Sequence, residues 1–240
     1  MLRGFAGKAK RAGVNTLAHK SSDGGRLARL AHDVPGAPGD ILRVIIETPQ
    51  GSRNKYDYDE ELDLFKLGGV LPAGAVFPFD FGFVPSTTGG DGDPLDVLVL
   101  MDEPAFAGCL VEARLVGVIE AEQTERDGET TRNDRLIAVA DDARNHRAVR
   151  SLEELGENLL DEIEHFFVSY NEIKGKKFAP LGRFGQERAR KVIEEGARLF
   201  RARQRTQAGG RQVKTGGRLM KTGARKGTRK RAGGAAKKRR

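Results

Sequence analysis

Apolar periodicity in this chain of 240 residues is confined to positions 40 to 203. That confinement limits the fold to one domain of ordinary size carrying two appended ends. Within it, period-two segments come first. Residues 42–48 are rich in β-branched side chains, and 55–59 and 62–67 alternate polar with apolar. Residues 97–101, 110–119 and 135–140 read as further strands, and Asp127-Gly128 marks a hairpin turn between the last two. Residues 76–84, dense in Phe with a Pro and a Gly, read as an irregular segment lining something. Helical spacing follows. Ser151 and Glu154 have capping-box spacing, 159–167 shows an apolar face, and 186–200 reads as a last helix. Many short strands and then two helices predict a mainly β, α+β fold, a β-barrel with flanking α-helices.

The net charge of +8 averages three different regions. Of the 42 Lys and Arg, 7 precede position 41 and 16 follow position 200; of the 34 acids, 3 precede position 41 and none follows position 200. Positions 41–200 therefore hold 19 basic and 31 acidic residues. An acidic middle suits cation binding, whereas the C-terminal end suits a polyanion. Pro35-Gly36-Ala37-Pro38-Gly39 reads as a linker closing a flexible basic arm over 1–39. Residues 204–240, almost without core-forming side chains, read as a disordered Lys/Arg/Gly-rich tail. Such a tail binds nucleic acid or polyphosphate by counterion release, and with no aromatic residue after Phe200 it has nothing to stack on bases. The first 22 residues are basic and free of acids up to Ser22, as in a transit peptide, but without the apolar core of a secretory signal; the reading here is a disordered arm. Cys109 is the single cysteine, so no internal disulfide forms. No apolar run approaches the roughly 18 residues of a membrane span. A cytoplasmic location is expected.

Asp91-Gly92-Asp93-Pro94-Leu95-Asp96 places three carboxylates within six residues, just before an apolar strand. Gly92 permits an unusual backbone angle and Pro94 fixes one, so the side chains are able to converge. Hard divalent cations such as Mg²⁺ take oxygen ligands of this kind. Taken alone, the segment reads equally as a solvated acidic turn.

Ile46-Glu47-Thr48-Pro49, Lys55-Tyr56-Asp57, Phe77-Pro78-Phe79-Asp80-Phe81-Gly82-Phe83, the aspartate segment and His165-Phe166-Phe167 with Tyr170 occur in one order. Together they resemble the soluble family I inorganic pyrophosphatases over positions 40 to 200. The resemblance implies an OB-like five-stranded barrel with flanking helices, homo-oligomers, and Mg²⁺-dependent hydrolysis of pyrophosphate to two phosphates. It implies Asp91 and Asp96 as metal ligands and Asp93 as general base. Asp57 stands where the family has a metal-side Glu. Lys55 and Tyr170 match phosphate-binding residues, and Glu47 matches a glutamate that organises the cations. Such chemistry needs these residue types. Pyrophosphate is all charge, so metal ions mask it and activate water, while Lys, Arg and Tyr hold the phosphates.

The chain also departs from the pattern. The family's phosphate-binding arginine falls on Gly69, and two active-site tyrosines are Phe77 and Phe81. Of two further metal-binding aspartates, the first falls on Gln123 and the second on Asn133, with Asp134 adjacent. A one-residue shift makes Asp134 a ligand, although strand alternation points the two neighbours to opposite faces. Asp134 is therefore kept among the candidate ligands. The family's lysine beyond becomes Arg135, a candidate phosphate binder. The lysine after the tyrosine becomes Asn171. Arg132, Arg135 and Lys66 are candidates for the missing positive charge. Two alternatives remain open: a phosphohydrolase for polyphosphate or a nucleotide, and a silent phosphate- or nucleic-acid-binding protein acting through its tail.

Overall fold

A computed structural model describes residues 41–59 and 62–215, with side chains as far as 206. The arm expected over 1–39 and the tail beyond 215 lie outside the described residues. Among the described residues, nine strands and two α-helices run in the order β1 (Ile41–Thr48), β2 (Asn54–Asp59), β3 (Leu64–Val70), β4 (Asp80–Val84), β5 (Leu95–Leu100), β6 (Leu110–Thr124), β7 (Thr130–Arg132), β8 (Arg135–Ala140), α1 (Glu157–Ile173), β9 (Lys177–Gly185) and α2 (Gln186–Thr215).

Five strands close on themselves. The order β1-β4-β5-β8-β6 is completed by a β1–β6 pairing, so the expected five-stranded barrel forms. Closure removes the free edges that an open sheet would present. The strands are apolar because their side chains fill this ring. Ile46, Leu98, Val118 and Ile137 are fully buried, and α1 seats Ile163 and Phe167 against the same core. Two places admit no side chain. A Cβ on Gly82 would lie 2.1 Å from the Ile45 carbonyl oxygen across the β1–β4 pair. One on Gly117 would lie 2.6 Å from the Phe184 carbonyl oxygen of β9.

The β5–β8 pairing is parallel, and its register sets Asp96 opposite Arg135. β2 and β3 form a separate hairpin outside the ring, in which Lys55 stands opposite Gly69 and Asp57 opposite Lys66. The β6–β7 hairpin turns at Asp127-Gly128 as expected, with Gly128 at φ 90° and Glu125 N donating to Glu129 O at 2.8 Å.

Four details differ from the sequence reading. Residues 80–84 form a regular strand; all five are buried, so no alternation betrays them. β9 is a strand that pattern reading does not find, because Pro180 and Gly182 interrupt it; Pro180 sits where the β6 register shifts, an irregularity that tolerates a missing donor. The capping-box pair does not start a helix: Glu154 accepts from Arg150 N in a short 3₁₀ turn, and α1 begins after Gly156 at φ 79°. Finally, α2 runs to Thr215, past the boundary expected at 203. Arg, Ala and Gln, which follow Phe200, are good helix formers and continue the helix, and residues 201–206 are exposed.

α2 also reaches back to the aspartate segment. Thr88 N donates to Gly196 O at 3.0 Å, and Arg203 donates to Gly92 O at 2.8 Å. Gly196 permits this approach, since a Cβ there would lie 2.7 Å from Leu95 Cδ1.

Candidate active site

The three aspartates sit on a tight loop leading into β5. Gly92 takes φ 93°, a conformation that only glycine adopts readily. Gly89 N donates to Asp93 O at 2.6 Å and Asp93 N donates to Asp91 Oδ1 at 3.1 Å, tying the loop to itself. Asp91 and Asp93 are exposed, and Asp96 is half-buried at the start of the strand. Although Asp91 opens to solvent on one side, desolvation on the other and the neighbouring Asp96 push its carboxyl up to about 6. Burial also raises Asp96, against the pull of Arg135 and Lys55. A pocket of about 20 Å³ lies between this loop and the start of β8, lined by Asp91, Asp96, Asn133 and Asp134 among others. It has room for one water-sized guest.

Facing the loop is a wall of cations, each already engaged. Lys55 is buried, and its ammonium donates to Glu47 Oε2 at 2.9 Å and to the Tyr56 carbonyl at 2.7 Å, with Asp57 Oδ1 at 2.8 Å. These contacts use its three protons. Burial works to lower its pKa, but Glu47 and Asp57 outweigh that and the net direction is upward. Glu47 is buried too, and its other oxygen accepts from Tyr58 N at 2.8 Å. Asp57 reaches Lys55 only because position 68 is glycine: a Cβ there would lie 1.5 Å from Asp57 Oδ2. Arg135 is buried and lies 2.7 Å from Asp96 Oδ2, with its guanidinium 4.9 Å from the Phe167 ring centroid and 5.3 Å from that of Phe178.

Tyr170, on α1, completes this side. Its ring meets Phe77 edge-on at 5.7 Å and stacks on Phe166 at 5.8 Å. Burial pushes its hydroxyl up to about 12, so it is a proton donor at neutral pH. Phe77 and Phe81 are buried, and Phe81 lies under Lys55, 4.9 Å from Nζ to the ring centroid. The structure therefore brings Glu47, Lys55, Asp57, Asp91, Asp96, Arg135 and Tyr170 into one neighbourhood, with Asp93 on the loop at its rim.

Asp134 borders the same small pocket as Asp91 and Asp96, and it is engaged within the protein. Its carboxylate accepts from the Ala121 amide at 3.0 Å and from Arg132 Nε at 2.6 Å, in a cluster with Glu120 and Arg188. Asn133, which with Asp134 lies between β7 and β8 and borders that pocket too, takes other partners. Its Oδ1 accepts from Arg135, and its Nδ2 donates to Gln123 Oε1 at 3.3 Å. The two positions aligned with metal-binding aspartates thus hold an amide pair bonded to each other. Arg132 pairs with Glu120 and Asp134, and Lys66 pairs with Asp59 at 2.7 Å. A Cβ at Gly69 meets nothing within 4 Å; the space beside Lys55 is open. Lys174 is a residue the sequence reading passed over. Its spacing of four from Tyr170 on one helix is the signal that would have found it. Asn171, by contrast, points into the core and donates to Phe167 O at 2.9 Å.

The donor set fits a hard cation. Among the described residues no three His, Cys, Asp or Glu side chains gather as a ready cage. Mg²⁺ needs no such cage, since it is usually held by one or two carboxylates, waters and substrate phosphate. Asp91 and Asp96 border the small pocket, and burial together with the charge of Asp96 raises Asp91, which marks a place where a positive guest would be stabilised.

The family model described as inorganic pyrophosphatase matches residues 44–201. A relative named inorganic pyrophosphatase from Nostoc sp. is 36% identical over 164 residues, which is 68% of this chain and 94% of the relative. One from Halalkalibacterium halodurans is 39% identical over 155 residues, covering 65% of this chain and 92% of the relative. The crystal structure of inorganic pyrophosphatase from Thermus thermophilus superposes with a TM-score of 0.63 at 34% identity, over 69% of this chain and 94% of that one.

Proposed function

The chain belongs to the inorganic pyrophosphatase family, and on that premise we propose how it hydrolyses pyrophosphate to two phosphates. The observation that carries the reading is the Asp96–Arg135 pair, which joins the aspartate loop to the cations Arg135 and Lys55. Asp91 and Asp96 would hold Mg²⁺. When bound, the ions mask the substrate's charge and lower the pKa of the attacking water.

The chain's own residues do the remaining work. Asp93, exposed at the loop tip, accepts the proton of that water. Tyr170 donates its hydroxyl proton to a phosphate oxygen. Arg135 and Lys55 supply fixed positive charge in a half-buried setting, where it acts more strongly than in water. Lys55 has no spare proton while Asp57 occupies it, so direct donation from Lys55 to phosphate requires the half-exposed Asp57 to turn away. Glu47 holds Lys55 in place throughout.

Phosphate release from pyrophosphate, tripolyphosphate and a nucleoside triphosphate, each with Mg²⁺ and with a chelator, tests this. Faster release from pyrophosphate that stops on chelation is the expected result. Preference for either longer substrate, or no release at all, would sink it.

The basic end has a separate role in this reading. Residues 201–240 carry 16 Lys and Arg and no acid, which supports non-specific binding of nucleic acid or polyphosphate. Truncation near Gln204 should abolish that binding, and salt should weaken it. We further infer a homo-oligomeric, cytoplasmic enzyme. Among the described residues no helix is long and apolar enough to cross a membrane. Sedimentation and cell fractionation test the two points.

A further inference from the structure

The cations grouped around Tyr170 differ in one respect. Lys55 is neutralised by Glu47 and Asp57, and Arg135 by Asp96. Lys174 lies in the field of Asp57 and Lys55, yet among the described residues its ammonium pairs with no carboxylate; its partner is the Tyr170 hydroxyl. The two residues are one helical turn apart, at the end of α1, and the ammonium also lies 4.1 Å from the Tyr170 ring centroid. Lys174 is half-buried, and desolvation lowers its pKa, with Lys55 adding to that effect against Asp57. An ammonium drawn out of water and left without an anion is a seat for one.

We propose that Lys174, together with the Tyr170 hydroxyl to which it donates, is a phosphate-binding group of the substrate site. The inference rests on the pyrophosphate reading above. Lys174 has two further protons, and the Tyr170 hydroxyl, accepting from Lys174, keeps its own proton to give. An incoming phosphate oxygen therefore meets two donors without displacing a carboxylate, which is not true at Lys55. The turn itself does not depend on this side chain. Lys174 N donates to the Asn171 and Glu172 carbonyls, and Lys174 O accepts from Arg126 Nε at 2.7 Å, all through the main chain.

The test uses the full chain and its Lys174→Ala and Lys174→Arg variants. Three quantities are measured: kcat and KM for pyrophosphate at saturating Mg²⁺, the melting temperature without ligand, and the rise in melting temperature caused by inorganic phosphate with Mg²⁺. Losing a charge-assisted hydrogen bond predicts that Lys174→Ala raises KM about tenfold or more. The phosphate-induced rise should shrink, the ligand-free melting temperature should stay put, and Lys174→Arg should restore most of the difference. A wild-type enzyme that works while Lys174→Ala keeps its KM and its phosphate response overturns the proposal. So does a variant that merely melts earlier with an unchanged phosphate response. If the wild type releases no phosphate from pyrophosphate, the parent reading fails instead. A phosphate response present in that wild type and lost in Lys174→Ala would still support the anion seat.

Discussion

Arg135 NH1 lies 2.7 Å from Asp96 Oδ2, and both residues occupy matched positions of the parallel β5–β8 pair. The barrel's register, not loop conformation, thus joins the acidic and basic halves of the site. Arg135 is also enclosed by the rings of Phe167 and Phe178, and it is the larger of the two positive charges acting on Asp96, Lys55 being the other.

Arg135→Met keeps the packing against those rings and deletes the charge. It leaves Asp96 without its paired cation in a half-buried place, which costs about 3 kcal/mol when one partner of such a pair is lost. Urea unfolding at neutral pH should show that loss, together with a larger fall in phosphate release. The double variant Arg135→Met with Asp96→Asn should recover part of the stability and none of the activity.

Asp91 makes the stability of the metal-free protein depend on pH. Its folded value is raised from 3.8 to about 6, so the folded state holds this proton more tightly than the unfolded chain. The contribution is therefore favourable below 3.8 and is lost as pH rises toward 6. Melting curves without metal should show it, weakened by salt because Asp91 is exposed, and Asp91→Asn should flatten it. In the presence of Mg²⁺ the sign of the demand reverses, since a ligand must be ionised. Activity at limiting Mg²⁺ should fall as pH drops through about 6, and more Mg²⁺ should move that limb to lower pH.

Two glycine substitutions should separate site from fold. In Gly68→Ala the new Cβ meets the end of the Asp57 side chain, which can turn outward. Stability should change by less than about 1 kcal/mol, while activity falls as it does in Asp57→Asn. The double variant should be no worse than either one, because both act on the same contact. In Gly82→Ala the Cβ meets the Ile45 carbonyl, which belongs to the barrel and cannot yield. A loss of about 1–3 kcal/mol is expected from such overpacking.

Asp93→Asn should remain folded, with unfolding free energy within about 0.5 kcal/mol of the wild type, because the side chain is exposed. Its kcat should fall roughly 10²–10⁴-fold if Asp93 is the base. A variant with near-normal kcat would move that role elsewhere.

Much of the fold was legible because it is written in local patterns. The β-branched run 42–48 and the apolar runs 110–119 and 135–140 marked strands of the barrel, and the Asp127-Gly128 turn fell where expected. β9 escaped because Pro180 and Gly182 are tolerated there only by the register shift of β6, a feature of the partner strand. At the site, the motif residues from Glu47 to Tyr170 were identifiable by their resemblance to the family's pattern. The partners of Asn133 and Asp134 were not, since both lie between strands and their contacts are set by the packing of β6 and β8.

By itself, then, the sequence determined an acidic barrel domain between basic ends, an aspartate loop preset by Gly92 and Pro94, and amides rather than carboxylates at 123 and 133. These follow from covalent order and from side-chain chemistry. Only the tertiary structure decided that Asn133 faces Arg135 while Asp134 pairs with Arg132, that Lys55 has no spare proton, and that Lys174 rests on Tyr170 without a carboxylate. Those outcomes depend on strand register and helix placement, which set distances between residues that covalent order leaves free.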